Sequence, residues 1–535
     1  MQMKKHSLGL ALALAMSLSA TAAMAAPSAW VATHTHAHQS SAGVRAADLA
    51  GAGTPVHVTV ALQLQNRATL DAFLAESHDP SSAMYGATLS SQDVARQFLP
   101  SQAQVDAVVA HLQAAGFSHI DVSANRLLVS ADGNALDAQA AFHTRLVKTT
   151  DGQGRPAYAN IDDALVPSSL GHIVLSVVGL QTAAKPHTTL HAAAGTLGRP
   201  GSTSSGLVGH NPTQFPAIYN VGSTPTASTV TVGIISDGDM TQPLKDLSQF
   251  TSTNGLPAVN TQVVTVGTPG TDTSGTPEWD LDSQDIVAMS GGVGKLIFYT
   301  ANSLTNSALT GDFNQAVSDN VAQVINVSLG ECETSAYNDG SMAADDQIFA
   351  LGVAQGQTFS ISTGDSGSNE CTKAPKGSTP SYPASSPYVV AVSGTSLSTG
   401  TNNTWVGETL WSKSGGSPST VEAKPSWQTQ GDGMRDVSDV AFDADPNSGA
   451  IIIVNGSNAQ YGGTSLSAPL FAATWARMLA GHPTLGFAGP HLYTVNTAVY
   501  HDITSGSNGA ESAAPGWDYA SGWGSIMVSA LDAGL

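Results

Sequence analysis

Histidine is missing from the middle of this 535-residue chain, where none of its 16 histidines lies between Asn211 and Gly481. From residue 206 onward the chain has only four: His210, His482, His491 and His501. We predict that all four lie in loops or at the surface. A nucleophilic serine in this part of the chain would therefore need a base other than the usual histidine.

Basic residues are scarce as well. Charged residues make up 11% of the chain, with 19 Lys and Arg against 40 Asp and Glu and a formal net charge of -21. Residues 1–205 carry 11 basic and 12 acidic residues, a net of -1, whereas residues 206–535 carry 8 and 28, a net of -20. Such an acidic chain is not expected to bind nucleic acid.

Long apolar runs and cysteines are rare too. A short apolar stretch at residues 8–18, with a positively charged start and an Ala-Met-Ala site at 23–25, is typical of a signal peptide over residues 1–25. No later run reaches the roughly 20 apolar residues that span a membrane. We therefore expect a secreted protein, extracellular or periplasmic. Cys332 and Cys371 favour one disulfide in an oxidising compartment, with two free buried thiols as the alternative.

The chain is 41% hydrophobic with 54 glycines, and it is too long for one ordinary domain. Mixed helix and strand patterns predict an α+β domain over residues 26–184, beginning with a poorly ordered tail at 26–50. The tail holds alternating histidines, which we interpret as solvated rather than metal-binding. Residues 185–210 are rich in Gly and Ser and predict an exposed, protease-sensitive linker. Residues 211–535 alternate strands and helices, which predicts an α/β fold with a parallel sheet and helices on both faces.

One glycine-rich stretch, residues 462–469, leads into an apolar run that predicts a buried helix. Ser465 would lie at its N-terminus, close to unpaired backbone N–H groups and the positive end of the helix dipole. Such a position suits a nucleophile. The alternative is an ordinary N-cap serine.

Three carboxylates have the right context to assist a serine. Glu278 and Asp282 are spaced i, i+4 on a predicted helix, where two close acids share a face and raise each other's pKa. The alternative is a solvated acidic first turn. Asp365 follows a predicted strand, and a protonated acid there would donate to a developing oxyanion. The alternative is an ordinary turn aspartate.

Together these motifs resemble the sedolisin family of serine-carboxyl peptidases, and in particular its bacterial pseudomonalisin and xanthomonalisin type. Glu278 with Asp282, Ser-Thr-Gly-Asp365 and Gly-Gly-Thr-Ser465-x-x-Ala-Pro occur in the family's order. Residues 79–86 and 439–446 resemble its propeptide signature and the segment before its nucleophile.

The resemblance implies a subtilisin-like parallel sheet with Ser465 as nucleophile and Glu278 as general base. Asp282 would orient Glu278 and share its proton, and Asp365 would form the oxyanion hole. A carboxylate base with a pKa of about 4 works best in acid. The chain would thus be an acid-active endopeptidase that cuts protein or peptide substrates through an acyl-enzyme.

The resemblance also implies one Ca²⁺ ion near the C-terminus. Side chains of Asp502 and Asp518 and carbonyls of Ile503, Ala514 and Gly516 would bind it, because a hard cation prefers oxygen ligands. Family members usually have glycine where Ala514 stands, so its carbonyl fits only if the backbone angles suit alanine.

By the same resemblance, residues 26–184 form an inhibitory propeptide, residues 185–210 contain the maturation cleavage, and residues 211–535 are the catalytic domain. We predict that histidines of the propeptide help to trigger its release as they charge below about pH 6, with the sign set by their burial. The histidines chosen to test this are His111, His119, His143 and His172.

The expected partners are protein or peptide substrates and the chain's own propeptide, and we expect a monomer. Two other functions stay open from the sequence. A secreted glycoside hydrolase would use Glu278 and Asp282 as its carboxylate pair, although a pair on one helix face flanks a glycosidic bond poorly. A non-catalytic secreted binding protein would keep the fold, but it would be expected to lose one of the four site residues.

Overall fold

The computed structural model of the chain describes residues 29–38, 42–193, 207–372 and 377–535. The predicted signal peptide, residues 1–25, and residues 194–206 of the predicted linker lie outside these ranges. None of the helices in the described ranges is long and apolar enough to cross a membrane.

The N-terminal part is an α+β domain, as predicted. Its helices are α1 Arg67–His78, α2 Ser91–Gln97, α3 Gln102–Ala115 and α4 Ala135–Phe142. Its strands are β1 Trp30–Ala32, β2 Pro55–Leu62, β3 Ser118–Val122, β4 Leu128–Asn134, β5 Leu146–Thr150, β6 Pro156–Asn160, β7 Leu165–Pro167 and β8 Val174–Val178, followed by the short segments β9 His187–Thr188 and β10 His191–Ala192.

The prediction of a poorly ordered tail at residues 26–50 is wrong for the segment that contains β1. β1 pairs antiparallel with β7, and the backbone beyond it donates from His34 to Leu175 O at 2.9 Å and from His36 to Asn338 O at 2.7 Å. Residues 29–38 of this tail are ordered because other segments of the chain supply hydrogen-bond partners for their backbone.

The C-terminal part is built around a large sheet. Its helices are α5 Phe215–Ile218, α6 Thr241–Thr253, α7 Thr276–Ser290, α8 Asn306–Asp319, α9 Glu333–Asp339, α10 Ser341–Ala354, α11 Thr464–Gly481, α12 Gly489–Thr494 and α13 Val528–Gly534. Its strands are β11 Thr231–Asp237, β12 Thr261–Thr265, β13 Lys295–Ala301, β14 Val324–Val327, β15 Leu329–Cys332, β16 Thr358–Ser362, β17 Ser381–Tyr382, β18 Val390–Thr399, β19 Trp405–Leu410, β20 Ser417–Ala423, β21 Met434–Val437, β22 Val440–Asp443, β23 Ala450–Val454, β24 Ser457–Gly462, β25 Tyr500–His501 and β26 Ser525–Ile526.

The strand order of the sheet is β12-β13-β11-β14-β16-β18-β22-β26-β25, with β19 paired to β18. The strands from β12 to β26 along this order run parallel, and antiparallel pairing is confined to β19 and β25. The predicted parallel α/β sheet is therefore confirmed. Carboxyl ends of its neighbouring strands converge on one edge, where a site is expected.

Helices cover both faces of this sheet, as two adjacent residues of β16 show. The Phe359 ring lies 4.7 Å from the Phe349 ring of α10, while the Ser360 hydroxyl donates to Ala468 O of α11 at 2.7 Å. Successive side chains of a strand point to opposite faces. α11 therefore lies on one face with α7 against it, and α10 lies on the other with α8.

The N-terminal domain sits on α8 and α10. One face of its sheet packs on its own helices, with Val56, Val58 and Val60 in that core. The opposite face, through Ala61 and neighbours, contacts α10. Gln347 of α10 donates to Leu62 O at 2.9 Å, so the end of the interior strand β2 is tied to the larger domain by a buried hydrogen bond.

Candidate active site

Ser465 is the second residue of α11, and the helix N-cap is Gly463. The N-cap interpretation of Ser465 is therefore excluded. Gly463 has φ +106°, and a Cβ atom there would lie 1.9 Å from Thr189 O and 2.6 Å from Asp365 Oδ2. Only glycine allows this close approach in front of the serine. The serine itself is completely buried, and its Oγ lies 2.8 Å from Oγ1 of Thr189.

Glu278 and Asp282 are buried, not solvated, on one face of α7. Glu278 is 1% exposed and Asp282 is 0% exposed, so the interpretation as a solvated first turn is wrong. Burial raises the pKa of Glu278 well above its ordinary value, and the nearby Asp282 and Asp365 carboxyls raise it further, while the Ser465 hydroxyl acts in the opposite direction. In this structure the closest partner of that hydroxyl is Thr189, and neither Glu278 oxygen accepts a hydrogen bond from the described residues.

Asp282 is held by a neighbouring strand end. The Ser328 hydroxyl donates to Asp282 Oδ1 at 2.6 Å, and it also lies 3.1 Å from Nδ2 of Asn326. Burial raises the pKa of Asp282 to about 8, against the opposing effect of Ser328 and Asn326. Two buried acids on adjacent turns cannot both ionise at low cost, so the pair holds at least one proton well above the usual carboxyl range.

Asp365 lies beyond the carboxyl end of β16 and is tied to the start of α11. Its Oδ1 accepts from the backbone N and the Oγ1 of Thr464, both at 2.8 Å. Its Oδ2 lies 3.3 Å from Nε2 of His191. Burial raises the pKa of Asp365 well above its ordinary value despite the two bonds from Thr464. A carboxyl kept protonated in this way has a proton to donate.

The predicted exposed linker runs through this site instead. β9 pairs antiparallel with β15, matching Thr188 with Leu329 and His187 with Gly330. β10 pairs antiparallel with β24, matching His191 with Gly462. Of the two residues between them, Thr189 is only 3% exposed. The prediction of exposure is therefore wrong for Pro186, Thr189 and Ala193, which are buried, while His187 is exposed as predicted.

The predicted disulfide is present between Cys332, at the end of β15, and Cys371, which follows Asp365 in the chain. It closes a segment of 39 residues that contains β16 and Asp365. The alternative of two free thiols is wrong. The disulfide thus connects β15, which pairs with β9 of the linker, to the loop that carries Asp365.

The five residues expected to bind calcium lie together near the C-terminus. Asp502 Oδ2 accepts from Gly516 N at 2.9 Å, and Asp518 Oδ2 accepts from Ala514 N at 2.9 Å. No described residue donates a hydrogen bond to the carbonyl oxygens of Ile503, Ala514 or Gly516. Ala514 is not among the residues with positive φ, so its backbone suits alanine. The described residues contain no group of three or more His, Cys, Asp or Glu side chains that would hold a metal without carbonyl ligands.

Sequence reasoning missed the residues that support the site. Thr464 is part of the glycine-rich motif, and Ser328 follows β14 directly, so both stood beside predicted features. Thr189 and His191 had no signal, because their role depends on pairing with remote strands. His491 was predicted to lie in a loop or at the surface, but it lies in α12, is only 8% exposed and contacts Tyr85 of the N-terminal domain.

Fold and site together define a serine peptidase in which carboxyl groups stand where a histidine base is usual. Residues 42–183 match the "Pro-kumamolisin, activation domain" family, and residues 287–524 match the "Subtilase family". The chain is 45% identical over 518 residues to sedolisin of Pseudomonas sp. (strain 101), covering 90% of this chain and 87% of the relative. The chain belongs to the sedolisin family of serine-carboxyl peptidases.

Two further comparisons agree with this assignment. The chain is 43% identical to xanthomonalisin of Xanthomonas sp. (strain T-22), covering 89% of this chain and 65% of the relative. A solved structure of Pseudomonas sedolisin, a serine-carboxyl proteinase complexed with two molecules of pseudo-iodotyrostatin, matches with a TM-score of 0.59 and 46% identity. That match covers 61% of this chain and 98% of the solved one. The glycoside hydrolase and non-catalytic alternatives are therefore set aside.

Proposed function

We propose that the chain is a secreted proenzyme that becomes an acid-active endopeptidase by cutting its own linker. The observation that carries this proposal is the position of Thr189, which lies against Ser465 within a segment paired to strands on both sides. Antiparallel pairing of an extended peptide on both sides of a nucleophile is how a substrate backbone would be held.

In the proposed reaction Ser465 Oγ attacks the carbonyl carbon of the scissile bond. Its proton passes to Glu278, which later gives it to the leaving amine. Asp282 acts as a positioning residue that holds Glu278 and shares its proton. The protonated Asp365 donates to the developing oxyanion. Water then attacks the acyl-enzyme, with Glu278 again as base, and releases Ser465 and a carboxylic acid product.

The proposed acid dependence follows from the raised pKa values. Asp365 donates only while it is protonated, so activity would be lost as the pH rises through its pKa. Glu278 can accept a proton only when the Glu278–Asp282 pair has lost one of its two protons. Activity would therefore also fall at very low pH, where both acids are protonated. The working range would lie between these two limits.

We propose that the first cleavage falls on the bond between Thr189 and Leu190. This is supported by Gly463, where an added Cβ atom would lie 1.9 Å from Thr189 O and 2.6 Å from Asp365 Oδ2, so both oxygens lie beside the N-cap residue of the helix that carries Ser465. Leu190 then starts the side that leads into β10. This bond falls within the predicted linker, residues 185–210, between the proposed propeptide and catalytic domains.

The test is self-cleavage of the full chain at about pH 4, near the carboxylate pKa. We expect wild type to yield a first product with Leu190 as its new N-terminus, at a rate independent of protein concentration because the bond is cut within one molecule. Ser465→Ala should stay intact and leave casein undigested.

Ser467→Ala is the matched control, since Ser467 is a buried serine of the same helix that donates to Thr464 O at 2.8 Å. It should process like wild type. Self-processing by Ser465→Ala would overturn the mechanism, and a first cut elsewhere would overturn the register.

We further propose that the C-terminal loop binds one Ca²⁺ ion. The two carboxylates of Asp502 and Asp518, with the carbonyl oxygens of Ile503, Ala514 and Gly516, supply the oxygen-only donor set that this cation prefers. The free carbonyls support this fit. The ion would stabilise the loop electrostatically and take no part in the chemistry. We also propose that the enzyme acts as a monomer.

A further inference from the structure

The linker shows where a substrate's side chains lie, if the proposed function is correct. With Thr189 at the nucleophile, Thr188 and His187 pair with β15, and Pro186 is the fourth residue before the scissile bond. Pro186 is buried, unlike the exposed His187 beside it. The fourth residue therefore occupies an enclosed position in the enzyme.

A small cavity adjoins Pro186. Its volume is about 10 Å³, which is close to the space that one water molecule needs. The lining residues come from α8, β15, α10 and the end of β17 with the residue after it: Asn306, Leu309, Phe313, Leu329, Glu331, Asp345, Tyr382 and Pro383. The walls are thus apolar except for one amide, one phenol and two carboxyls.

Three of the four oxygens of these two carboxyls have no hydrogen-bond partner among the described residues. Glu331 and Asp345 are each 4% exposed, and neither oxygen of Glu331 nor Oδ1 of Asp345 accepts a hydrogen bond from the described residues. No described Lys, Arg or His forms an ion pair with them. The neighbouring Asp339 differs, because it accepts from Gln181 Nε2 at 2.7 Å and from Ser341 Oγ at 2.7 Å.

We propose that Glu331 and Asp345 form a pocket for a cationic side chain, lysine or arginine, at the fourth residue before the scissile bond of a substrate. An ammonium group has three donors and no acceptor, which matches two carboxyls without donors of their own. Pro186 has no donor to offer, so the pocket's polar groups stay unpaired while the linker occupies the site.

Selectivity for the cation depends on pH. Burial raises the pKa of both Glu331 and Asp345 well above the ordinary values, and the carboxyl of Asp339 raises both further, against the opposing effect of Asn306 on Glu331 and of Thr310 on Asp345. The empty pocket is therefore uncharged in acid. A bound ammonium favours ionisation of a carboxyl beside it. The preference for lysine should therefore increase as the pH rises within the range where the enzyme is active.

The test uses enzyme matured from the full chain and quenched fluorescent peptides that differ only in the fourth residue before the cleaved bond. Lysine is compared with norleucine, which keeps the chain length without the charge. We expect kcat/KM for the lysine peptide to exceed that for norleucine by about tenfold at pH 5 and by less at pH 3, the tenfold corresponding to one well-formed charged contact.

Glu331→Gln and Asp345→Asn should each bring the lysine-to-norleucine ratio close to one while cleavage of the norleucine peptide persists. Asp319→Asn is the matched control, because this acid is exposed at the far end of α8 and its loss should leave the ratio unchanged. If Glu331→Gln fails to fold, Asp345→Asn alone decides the result.

Equal cleavage of the two peptides by wild type would overturn the pocket, as would a ratio that both variants leave intact. Cleavage of the norleucine peptide establishes the peptidase separately, so failure of the pocket is distinguishable from failure of the proposed function. A second readout uses the proenzyme: Pro186→Lys should process itself faster at pH 5 than Pro186→Ala, and equal rates would also contradict the proposal.

Discussion

Acid should release the propeptide through His78, at the end of α1. Its ring lies 5.5 Å from the Phe487 ring of the catalytic domain, in a shared cavity with Tyr85 and His491. Burial lowers the pKa of His78 from 6.5 to about 4, with a smaller contribution from His491. Burial also lowers the pKa of His491, whose Nε2 lies 3.0 Å from Leu485 O. Protonation of either ring is therefore resisted while the two domains are docked.

Three other charged groups, Asp71, Glu422 and Lys424, line the cavity that adjoins His78. Asp71 is already paired with Arg67, whose Nε lies 2.7 Å from Asp71 Oδ1. Burial and the nearby Asp346 raise the pKa of Glu422 to about 9, so this carboxyl is uncharged in acid. The four propeptide histidines proposed from the sequence are less suited to the role. His111, His119 and His143 contact residues of their own domain, and His172 is exposed.

The magnitude follows from the shift. The pKa of His78 is lower when the two domains are docked than when they are apart. Its contribution to docking is therefore fully present above about pH 6.5 and is lost as the pH falls towards 4. Lowering the pKa of His78 from 6.5 to about 4 corresponds to about 3 kcal/mol. The equilibrium constant for opening of the interface should thus increase roughly 120-fold between pH 7 and pH 4 from His78 alone.

Hydrogen exchange of the full-length Ser465→Ala chain measures this opening without self-cleavage. Exchange of α1 amides, corrected for the intrinsic rate at each pH, should show the increase. Adding His78→Gln should remove most of the pH dependence, whatever its effect at pH 7, whereas adding His172→Gln should not. An unchanged pH dependence in the His78→Gln chain would refute the reasoning.

Three further predictions concern the catalytic domain. Asp365→Asn keeps a donor that cannot ionise, so it should retain part of the acid activity and extend it to higher pH, whereas Asp365→Ala should lose about 10²- to 10³-fold in kcat in the acid range where wild type is active. Chelation of Ca²⁺ should lower the melting temperature of wild type but not of an Asp518→Asn variant, and equal shifts would argue against the calcium loop. Arg435→Met should reduce the free energy of unfolding by about 3–5 kcal/mol, because it leaves the buried carboxylate of Asp439 without its counter-charge. Urea titration of the full-length Ser465→Ala chain, with and without Arg435→Met, would measure the difference.

Element positions were predictable where local signals are strong. The helix Gln102–Ala115 is delimited by local signals, because Ser101 and Gln104 form a capping box and Gly116 ends it in the left-handed region. The strand predicted before Asp365 is present as Thr358–Ser362, with all five residues buried. The linker and the N-terminal tail were not predictable, because their order comes from pairing with remote strand edges.

The sequence by itself determined the kind of chemistry. A serine behind two glycines, an i, i+4 acid pair and a third acid, in a region without histidine, exclude the usual base and leave carboxyls in its place. Only the tertiary structure decided the state of those groups. Burial of Glu278, Asp282 and Asp365 raises their pKa values, since a charged carboxyl is costly away from water. The path of Thr189 across Ser465 likewise depends on strands more than a hundred residues away in the chain.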